Sequence, residues 1–180
     1  MKKNAIKYIS KSLVIAALTA SFGSAHAGSA TANLSVTASV ANNCTISTTS
    51  LGFTSYDPVS GGNVIASGTV IVACTKNASS LWIGLDTGVN PVVSQRNLYG
   101  TTNHDKLAYN LMQPTTTVPA AVCPAYGAGT PWTNLIAGGL TLTTPTGKAT
   151  RTYNVCGQIA SGQDVSVDSY TDTIIATINF

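Results

Sequence analysis

Strict alternation of apolar and polar residues near the start of the chain is the feature that most restricts its fold. In residues 30–40 every even position is Ala, Leu or Val, and every odd position is Thr, Asn or Ser. A period of two is that of a β-strand with one buried face, because successive side chains of a strand point to opposite sides. Near the other end of the chain, in the segment 171–180, every even position from 174 to 180 is apolar, although Ile175 is apolar as well. The apolar face of that second segment consists of Ile174, Ala176, Ile178 and Phe180. The pattern predicts extended segments near both ends of the chain.

The residues between these segments are typical of an all-β protein. Thr, Val, Ser and Gly are abundant, glutamate is absent, and no segment shows the apolar periodicity of a helix. Clusters of turn-forming residues, such as Asp57-Pro58 and residues 61–63, separate short apolar segments. Further strands are predicted at 51–56, 68–74, 81–85, 107–112 and 149–159. This pattern indicates a single β-sandwich domain, with a β-barrel as the alternative.

The first 27 residues have the three parts of a secretory signal peptide. Four lysines precede an apolar segment at residues 13–22, and Ala25-His26-Ala27 provides the small residues that signal peptidase requires. The apolar segment is shorter than the roughly 20 residues that span a bilayer. The sequence therefore predicts export, cleavage after Ala27 and no membrane insertion.

The charge of the chain changes when the leader is set aside. The sequence has nine basic and six acidic residues, but four of the basic residues are leader lysines. Five basic residues against six aspartates leave a net charge of −1 for residues 28–180. Such a surface has no basic patch for nucleic acid or anionic lipid. We therefore expect neither partner.

Four cysteines, Cys44, Cys74, Cys123 and Cys156, follow the export signal. An even number of cysteines in an exported chain favours two disulfide bonds. A zinc site is the alternative, but no Cys-x-x-Cys pair is present. The spacing leaves all three pairings open.

Groups that could perform catalysis are few. The histidine that follows the leader, His104, lies beside Asp105 in a polar segment and is expected to be solvated. Asp164, Asp168 and Asp172 could bind calcium, although they match no calcium-loop motif. The sequence predicts no enzyme activity, no catalytic residue, no metal site and no cofactor.

The segment between the strands predicted at 107–112 and 149–159 shows no strand pattern in its first half. Residues 113–135, rich in Thr, Pro, Ala and Gly, are expected to form a long surface excursion that Cys123 ties down. Trp82 is predicted to pack in the core, whereas the position of Trp132 is left open. The expected organisation is a leader at 1–27, an N-terminal segment at 28–40 and a sandwich at 41–180.

The two terminal segments are unusual for a soluble domain. Weakly charged strands with uncovered edges are prone to pair with other chains, and most proteins suppress them. A chain that keeps two such segments can use one to complete the sheet of its neighbour. The sequence therefore predicts polymerisation by strand addition.

The sequence also resembles a known family. Its motifs are similar to those of the spore coat protein U domain family, and in particular to subunits of archaic chaperone–usher pili such as the Csu pilus. The segments that carry the resemblance are Asn43-Cys44-Thr45-Ile46, Leu51-Gly52-Phe53, Tyr56-Asp57-Pro58, Val70-Ile71-Val72-Ala73-Cys74, Leu107-Ala108-Tyr109-Asn110-Leu111 and residues 170–180. They occur in this order along most of the chain.

The resemblance implies an incomplete immunoglobulin-like sandwich, which a donor strand from a neighbouring subunit completes. It implies three partners: a periplasmic chaperone, an outer-membrane usher and further pilus subunits, in a homopolymer. The donor residues would be Ala30, Ala32, Leu34, Val36 and Ala38. The acceptor edge, which also binds the chaperone, would carry Ile174, Ala176, Ile178 and Phe180. The resemblance also pairs Cys44 with Cys74, which leaves Cys123 and Cys156 for a second bond.

The expected function is that of a structural pilus subunit, exported through the periplasm to surface fibres that serve attachment and biofilm formation. The main alternative is a secreted β-sandwich that completes its own sheet and acts as a monomeric binding or coat protein. A periplasmic hydrolase is a third, weaker alternative. A polymerising subunit should form ladders of bands, whereas a monomeric protein should elute as a single peak.

Overall fold

The computed structural model describes residues 27–180, so the predicted leader lies outside the described residues except for Ala27. The chain divides into two units after Ala38. Residues 27–38 contain no helix or strand, and their side chains are exposed. Residues 39–180 form a body of β-strands. No helix within residues 27–180 has the length and apolar character needed to cross a membrane.

The strands of the body form two antiparallel sheets. The strands are β1 (Cys44–Thr49), β2 (Val64–Cys74), β3 (Trp82–Leu85), β4 (Arg96–Gly100), β5 (Lys106–Met112), β6 (Leu140–Thr141), β7 (Arg151–Ile159), β8 (Tyr170–Thr171) and β9 (Ala176–Asn179). The larger sheet has the order β1-β2-β7-β5-β4-β8, and the smaller has the order β6-β3-β9. A short 3-10 turn, Ile136–Gly138, precedes β6. The predicted all-β class is confirmed.

The core lies between the two sheets and follows the alternation of the sequence. In β2 and β7, the buried residues Val70, Val72, Tyr153 and Val155 face the smaller sheet, which contributes Ile83. The long β2–β7 pair runs in register from Val64–Ile159 to Val72–Arg151 and forms the centre of the larger sheet. Each large apolar side chain that is fully buried contributes about 1.5–3 kcal/mol. This layer therefore fixes which face of each strand points inward.

The predicted strand at 51–56 is wrong. Leu51 and Phe53 do pack against the core, as the alternation suggests, and so does Tyr56, but residues 50–63 contain no strand. The ladder between β1 and β2 ends at the pair Thr49–Thr69. A strand needs a neighbouring backbone to bond with, and residues 51–56 have left the neighbour that β1 used. The segment keeps its apolar face without a ladder.

The strand predicted at 171–180 is broken into two short strands that belong to different sheets. β8 pairs with β4 in the larger sheet, and β9 pairs with β3 in the smaller sheet. Residues 172–175 carry the chain from one sheet to the other. Asp86 holds this crossing, because its Oδ1 atom accepts hydrogen bonds from Gly88 N at 3.0 Å and Ile175 N at 2.9 Å.

The excursion after β5 is present, but part of it is buried. It has no strand through residue 135, and the disulfide between Cys123 and Cys156 ties it to β7. Trp132 is fully buried and donates a hydrogen bond from Nε1 to Ile83 O at 2.8 Å. The excursion therefore covers part of the core.

The predicted core position of Trp82 is wrong. Trp82 is half-buried on the outer face of the smaller sheet, because its neighbour Ile83 occupies the inward position. Its ring lies close to Gly84 and Gly139, where a β-carbon on either glycine would be 3.0 Å or less from a ring atom. Small residues thus make room for the ring outside the core.

Candidate functional site

A groove opens between the two sheets on the side where β1 and β9 lie. Each of these strands stands at the edge of its sheet, and each has one strand neighbour in the described part of the chain. Edge strands present backbone N–H and C=O groups that no ladder uses. The body therefore has two open strand edges facing one depression.

The part of the groove beside β9 has a volume of about 300 Å3. Leu85, Leu98, Tyr109 and Leu111 form much of its floor, and Ile174 lies on one wall. The opposite wall consists of residues at the end of β1 and just after it, among them Thr49 and Leu51. Most of these side chains are apolar, so the groove exposes part of the core.

The groove continues under residues 51–58 as a second cavity of about 490 Å3. Leu51, Phe53 and Leu98 line both parts, so the two parts are continuous. Leu107 and Ile159 belong to the lining of the second part. Its far wall is formed by residues 165–168 and Tyr170. The whole groove thus runs along the segment 48–58 on one side and along 165–176 on the other.

A buried polar cluster anchors the β9 side of the groove. Tyr109 Oη donates a hydrogen bond to Asp172 Oδ2 at 2.7 Å, and Asp172 Oδ1 also accepts one from Val89 N at 3.0 Å. Burial and the hydrogen bond with Asp172 raise the pKa of Tyr109 far above its ordinary value. The phenol therefore stays protonated and remains a donor to Asp172.

Arg96 lies beside the same cluster. Its guanidinium donates to three backbone carbonyls, those of Leu85, Asp86 and Trp132, at 2.9, 2.8 and 2.7 Å. Burial lowers the pKa of Arg96, although the ordinary value for arginine is so high that the group stays charged at neutral pH. One side chain thus joins β3, the excursion and β4 under the floor of the groove.

Two aspartates brace the loops at the other end of the groove. Asp168 accepts hydrogen bonds from Thr102 N and Asn103 N, each at 2.7 Å, and Asp105 accepts one from Ser166 N at 2.8 Å. The bond from the Asn103 N–H, together with those of Thr102 and Ser169, lowers the pKa of Asp168 well below its usual range. Hydrogen bonding from Ser166 lowers the pKa of Asp105. Each of the loops 101–105 and 160–169 therefore carries one carboxylate that accepts a backbone hydrogen bond from the other loop.

Two of the four predicted acceptor residues, Ile174 and Ala176, line the groove. Ile174, Ala176 and Ile178 are partly buried and pack against the core, whereas Phe180 is 53% exposed. Thr173, Ile175 and Thr177, which alternate with them, are exposed. The alternation of the last segment is thus present in the fold.

The predicted donor residues lie outside the body, in the unit that ends at Ala38. Leu34 is 86% exposed and Val36 is 84% exposed. Their role as donors stays a prediction. Apart from Ile174 and Ala176, the sequence did not identify the residues that line the groove, although the alternation of Leu51 and Phe53 was the available signal for two of them.

The disulfide pairs are the ones that the resemblance implies. Cys44 and Cys74 join the first residue of β1 to the last residue of β2, and Cys123 joins Cys156. Among residues 27–180, no group of three or more His, Cys, Asp or Glu side chains is placed to hold a metal ion. His104 is exposed and stacks on Tyr99 with ring centroids 5.3 Å apart. The structure thus gives this histidine a packing partner on the surface.

Three comparisons place this geometry among known proteins. The family model of the Spore Coat Protein U domain matches residues 30–177. Protein U of Myxococcus xanthus is 32% identical over 192 residues, which cover 98% of this chain and 99% of that protein.

A solved structure is similar in fold. It is the complex of the chaperone CsuC with the tip adhesion subunit CsuE, from the archaic chaperone–usher Csu pili of Acinetobacter baumannii. The TM-score is 0.53 at 16% sequence identity over 78% of this chain. The match spans 40% of the length of the solved chain.

Proposed function

Because the chain belongs to the spore coat protein U domain family, we propose that it is a structural pilus subunit that polymerises by donor-strand exchange. The groove between β1 and β9 accepts the N-terminal segment of a neighbouring copy. The observation that carries the proposal is the groove itself, an apolar depression with open strand edges on both sides. Such a site suits an extended segment that adds backbone hydrogen bonds and inserts alternate side chains.

Residues 28–40 are the segment that fits this groove. They are extended in pattern, carry no charge, and place Ala, Leu and Val at every second position. Leu34 and Val36 are the largest apolar side chains at positions 30–38, and each contributes about 1.5–3 kcal/mol when fully buried. Alanine fills less volume, so these two residues supply most of the apolar contact.

The same groove serves export in this proposal. A periplasmic chaperone occupies it before assembly, and an outer-membrane usher exchanges the chaperone for the next subunit. The support is the fold similarity to a chain of the complex between the chaperone CsuC and the tip adhesion subunit CsuE. The assembled fibre lies on the cell surface and serves attachment and biofilm formation.

The test is a double substitution on the donor face. Leu34→Asp with Val36→Asp places two carboxylates where apolar side chains enter the groove, and burying an unpaired carboxylate costs several kcal/mol. We expect no polymer from this variant, whereas the complex with the chaperone persists because the groove is intact. The readout is the ladder of bands on a gel run without boiling.

The matched control is Asn33→Asp with Ser35→Asp, which adds the same two charges on the opposite face of the same segment. We expect this control to form ladders like the wild type. Ladders from the Leu34/Val36 variant would contradict the proposal. A wild-type chain that elutes as one monomeric peak would instead favour a sandwich that completes its own sheet.

A further inference from the structure

The charged residues of the body are separated by sign along its long direction. The β2–β7 pair spans the body, with Val64 and Ile159 at one end and Cys74 and Arg151 near the other. At about 3.3 Å per residue, the 11 residues of β2 place these ends roughly 35 Å apart. The loops beyond the two ends carry opposite charges.

One end, which we call the basic end, consists of residues 75–81 and 142–151. Lys76 and Lys148 are exposed on it, and Arg151 donates a hydrogen bond to Thr143 O at 2.6 Å. The two loops are adjacent, because Asn77 N donates to Pro145 O at 2.9 Å. These residues include three basic and no acidic side chains.

The opposite end, which we call the acidic end, consists of residues 56–63, 101–106 and 160–169. Gln163 N donates to Tyr56 Oη at 2.7 Å, and the bonds from Thr102 and Asn103 to Asp168 join the other two loops. Its acidic residues are Asp57, Asp105, Asp164 and Asp168. Lys106 is the one basic residue in these ranges, so the formal charge of this end is −3.

The donor segment joins the body at the basic end. Thr75 Oγ1 donates to Ala41 O at 3.3 Å and accepts a bond from Asn43 N at 3.1 Å, immediately before Cys44. A copy that inserts residues 28–40 into a neighbour therefore brings its own basic end close to that neighbour. Which end of the neighbour it meets depends on the direction of the inserted strand.

If the donor strand is inserted antiparallel to β9, the donor body contacts the acidic end of its neighbour. β9 runs from Ala176, opposite Leu85, to Asn179, opposite Trp82, and so it runs toward the basic end. A strand antiparallel to β9 runs toward the acidic end and leaves the groove there. Its C-terminal side is attached to the donor body, whose basic end then faces the acidic end of the acceptor. Parallel insertion would instead bring two basic ends together.

We propose that these opposite charges orient each incoming copy of this chain, so that its basic end meets the acidic end of the copy that receives its strand. This inference rests on the proposed donor-strand exchange and adds the polarity of the contact between copies. Charge complementarity of this kind acts mainly on the rate of association, because it operates before the strand is inserted. Its range is about 10 Å at 0.1 M salt.

The experiment compares two substitutions that change the net charge equally but at opposite ends. Lys148→Glu lowers the formal charge of the basic end from +3 to +1, and Lys106→Glu changes that of the acidic end from −3 to −5. Full-length chain is diluted from denaturant into buffer of about 20 mM or 500 mM salt, and ladder formation is followed in time. Tryptophan fluorescence measures folding separately.

At low salt we expect Lys148→Glu to slow initial assembly by about three- to tenfold. Lys106→Glu should assemble as fast as the wild type or about twofold faster, and all three rates should converge at high salt. The double variant Lys148→Glu/Asp164→Lys should assemble more slowly still at low salt, because Asp164 is exposed and its reversal lowers the formal charge of the acidic end from −3 to −1.

The outcomes separate this inference from the proposed function. Equal effects of the two lysine substitutions, or a wild-type rate that does not depend on salt, would overturn the charge-orientation inference while leaving donor-strand exchange in place. A wild-type chain that folds but forms no ladder would overturn both.

Discussion

Two buried tyrosines differ in whether the hydroxyl has a partner. Tyr109 Oη donates to Asp172 at 2.7 Å, whereas Tyr153 Oη has no hydrogen-bond partner among residues 27–180. A buried polar group without a partner costs about 1–3 kcal/mol, while a bond to a charged group contributes a similar amount. The same substitution should therefore have opposite consequences at the two positions.

We expect Tyr109→Phe to lower the free energy of unfolding by about 1.5–3 kcal/mol, because Asp172 loses a donor at the crossing segment. Tyr153→Phe should leave it unchanged or raise it by up to about 1 kcal/mol. Urea unfolding of the two variants measures both values. Equal losses would show that the hydroxyl of Tyr153 is bonded in the folded protein.

At the scale of elements, the loops 101–105 and 160–169 depend on ionised carboxylates. The pKa of Asp168 is lowered in the folded chain. The hydrogen bonds to its carboxylate therefore stabilise the fold fully at a pH above the pKa of an aspartate in the unfolded chain, which is about 3.9. This stabilisation is lost as the pH falls below that value and the carboxylate begins to be protonated. The pKa of Asp105 is also lowered in the folded chain, so its hydrogen bond stabilises the fold in the same pH range.

We expect Asp168→Asn to lower the melting temperature at about pH 6 and to reduce its further fall between about pH 6 and pH 3. The fall should not vanish, because Asp105 still titrates. Asp164→Asn is the control, since Asp164 is exposed on the same loop. Thermal melts across this pH range measure the effect, and identical profiles for wild type and Asp168→Asn would contradict it.

The sequence predicted some strands of the body and missed others. Alternation located the long strands β2, β5 and β7 within a few residues, because their inward faces are apolar and their partners are strands. It failed at 51–56, where the same alternation exists without a neighbouring backbone. It missed β4, which begins with the polar residues Arg96 and Asn97, because both are buried through hydrogen bonds rather than apolar contact.

The groove could be predicted only in part. The apolar face of Ile174, Ala176 and Ile178 is visible in the sequence, because a period of two identifies it. The floor comes from strands far apart in the chain, such as Leu98 and Leu111, and only the order of strands in the sheets brings them together. Likewise, nothing local to Trp132 indicates burial, since its partner Ile83 is 49 residues away.

At the scale of the whole molecule, two disulfides stabilise different parts of the body. They close sequence separations of 30 and 33 residues, so each restricts the unfolded chain by a similar amount, about 3–4 kcal/mol. One lies beside the groove wall formed by β1, and the other ties down the excursion. Their effects on assembly should therefore differ more than their effects on stability.

We expect Cys123→Ser/Cys156→Ser to lower the free energy of unfolding by about 3–4 kcal/mol while the folded protein still forms ladders. Cys44→Ser/Cys74→Ser should lose a similar amount and should also weaken the ladders, because β1 is freed at its first residue. Urea unfolding and unboiled gels measure the two properties. Weaker ladders in the Cys123/Cys156 variant alone would contradict this division.

The position of the Cys44–Cys74 bond has a mechanical consequence. β1 is an edge strand, and a pull on the residues that precede it would otherwise peel its backbone bonds from β2 one pair after another. The bond sits at the first pair of that ladder. A load that arrives through residues 28–43 is therefore passed covalently into β2, the longest strand of the body, before any backbone bond of β1 has to carry it.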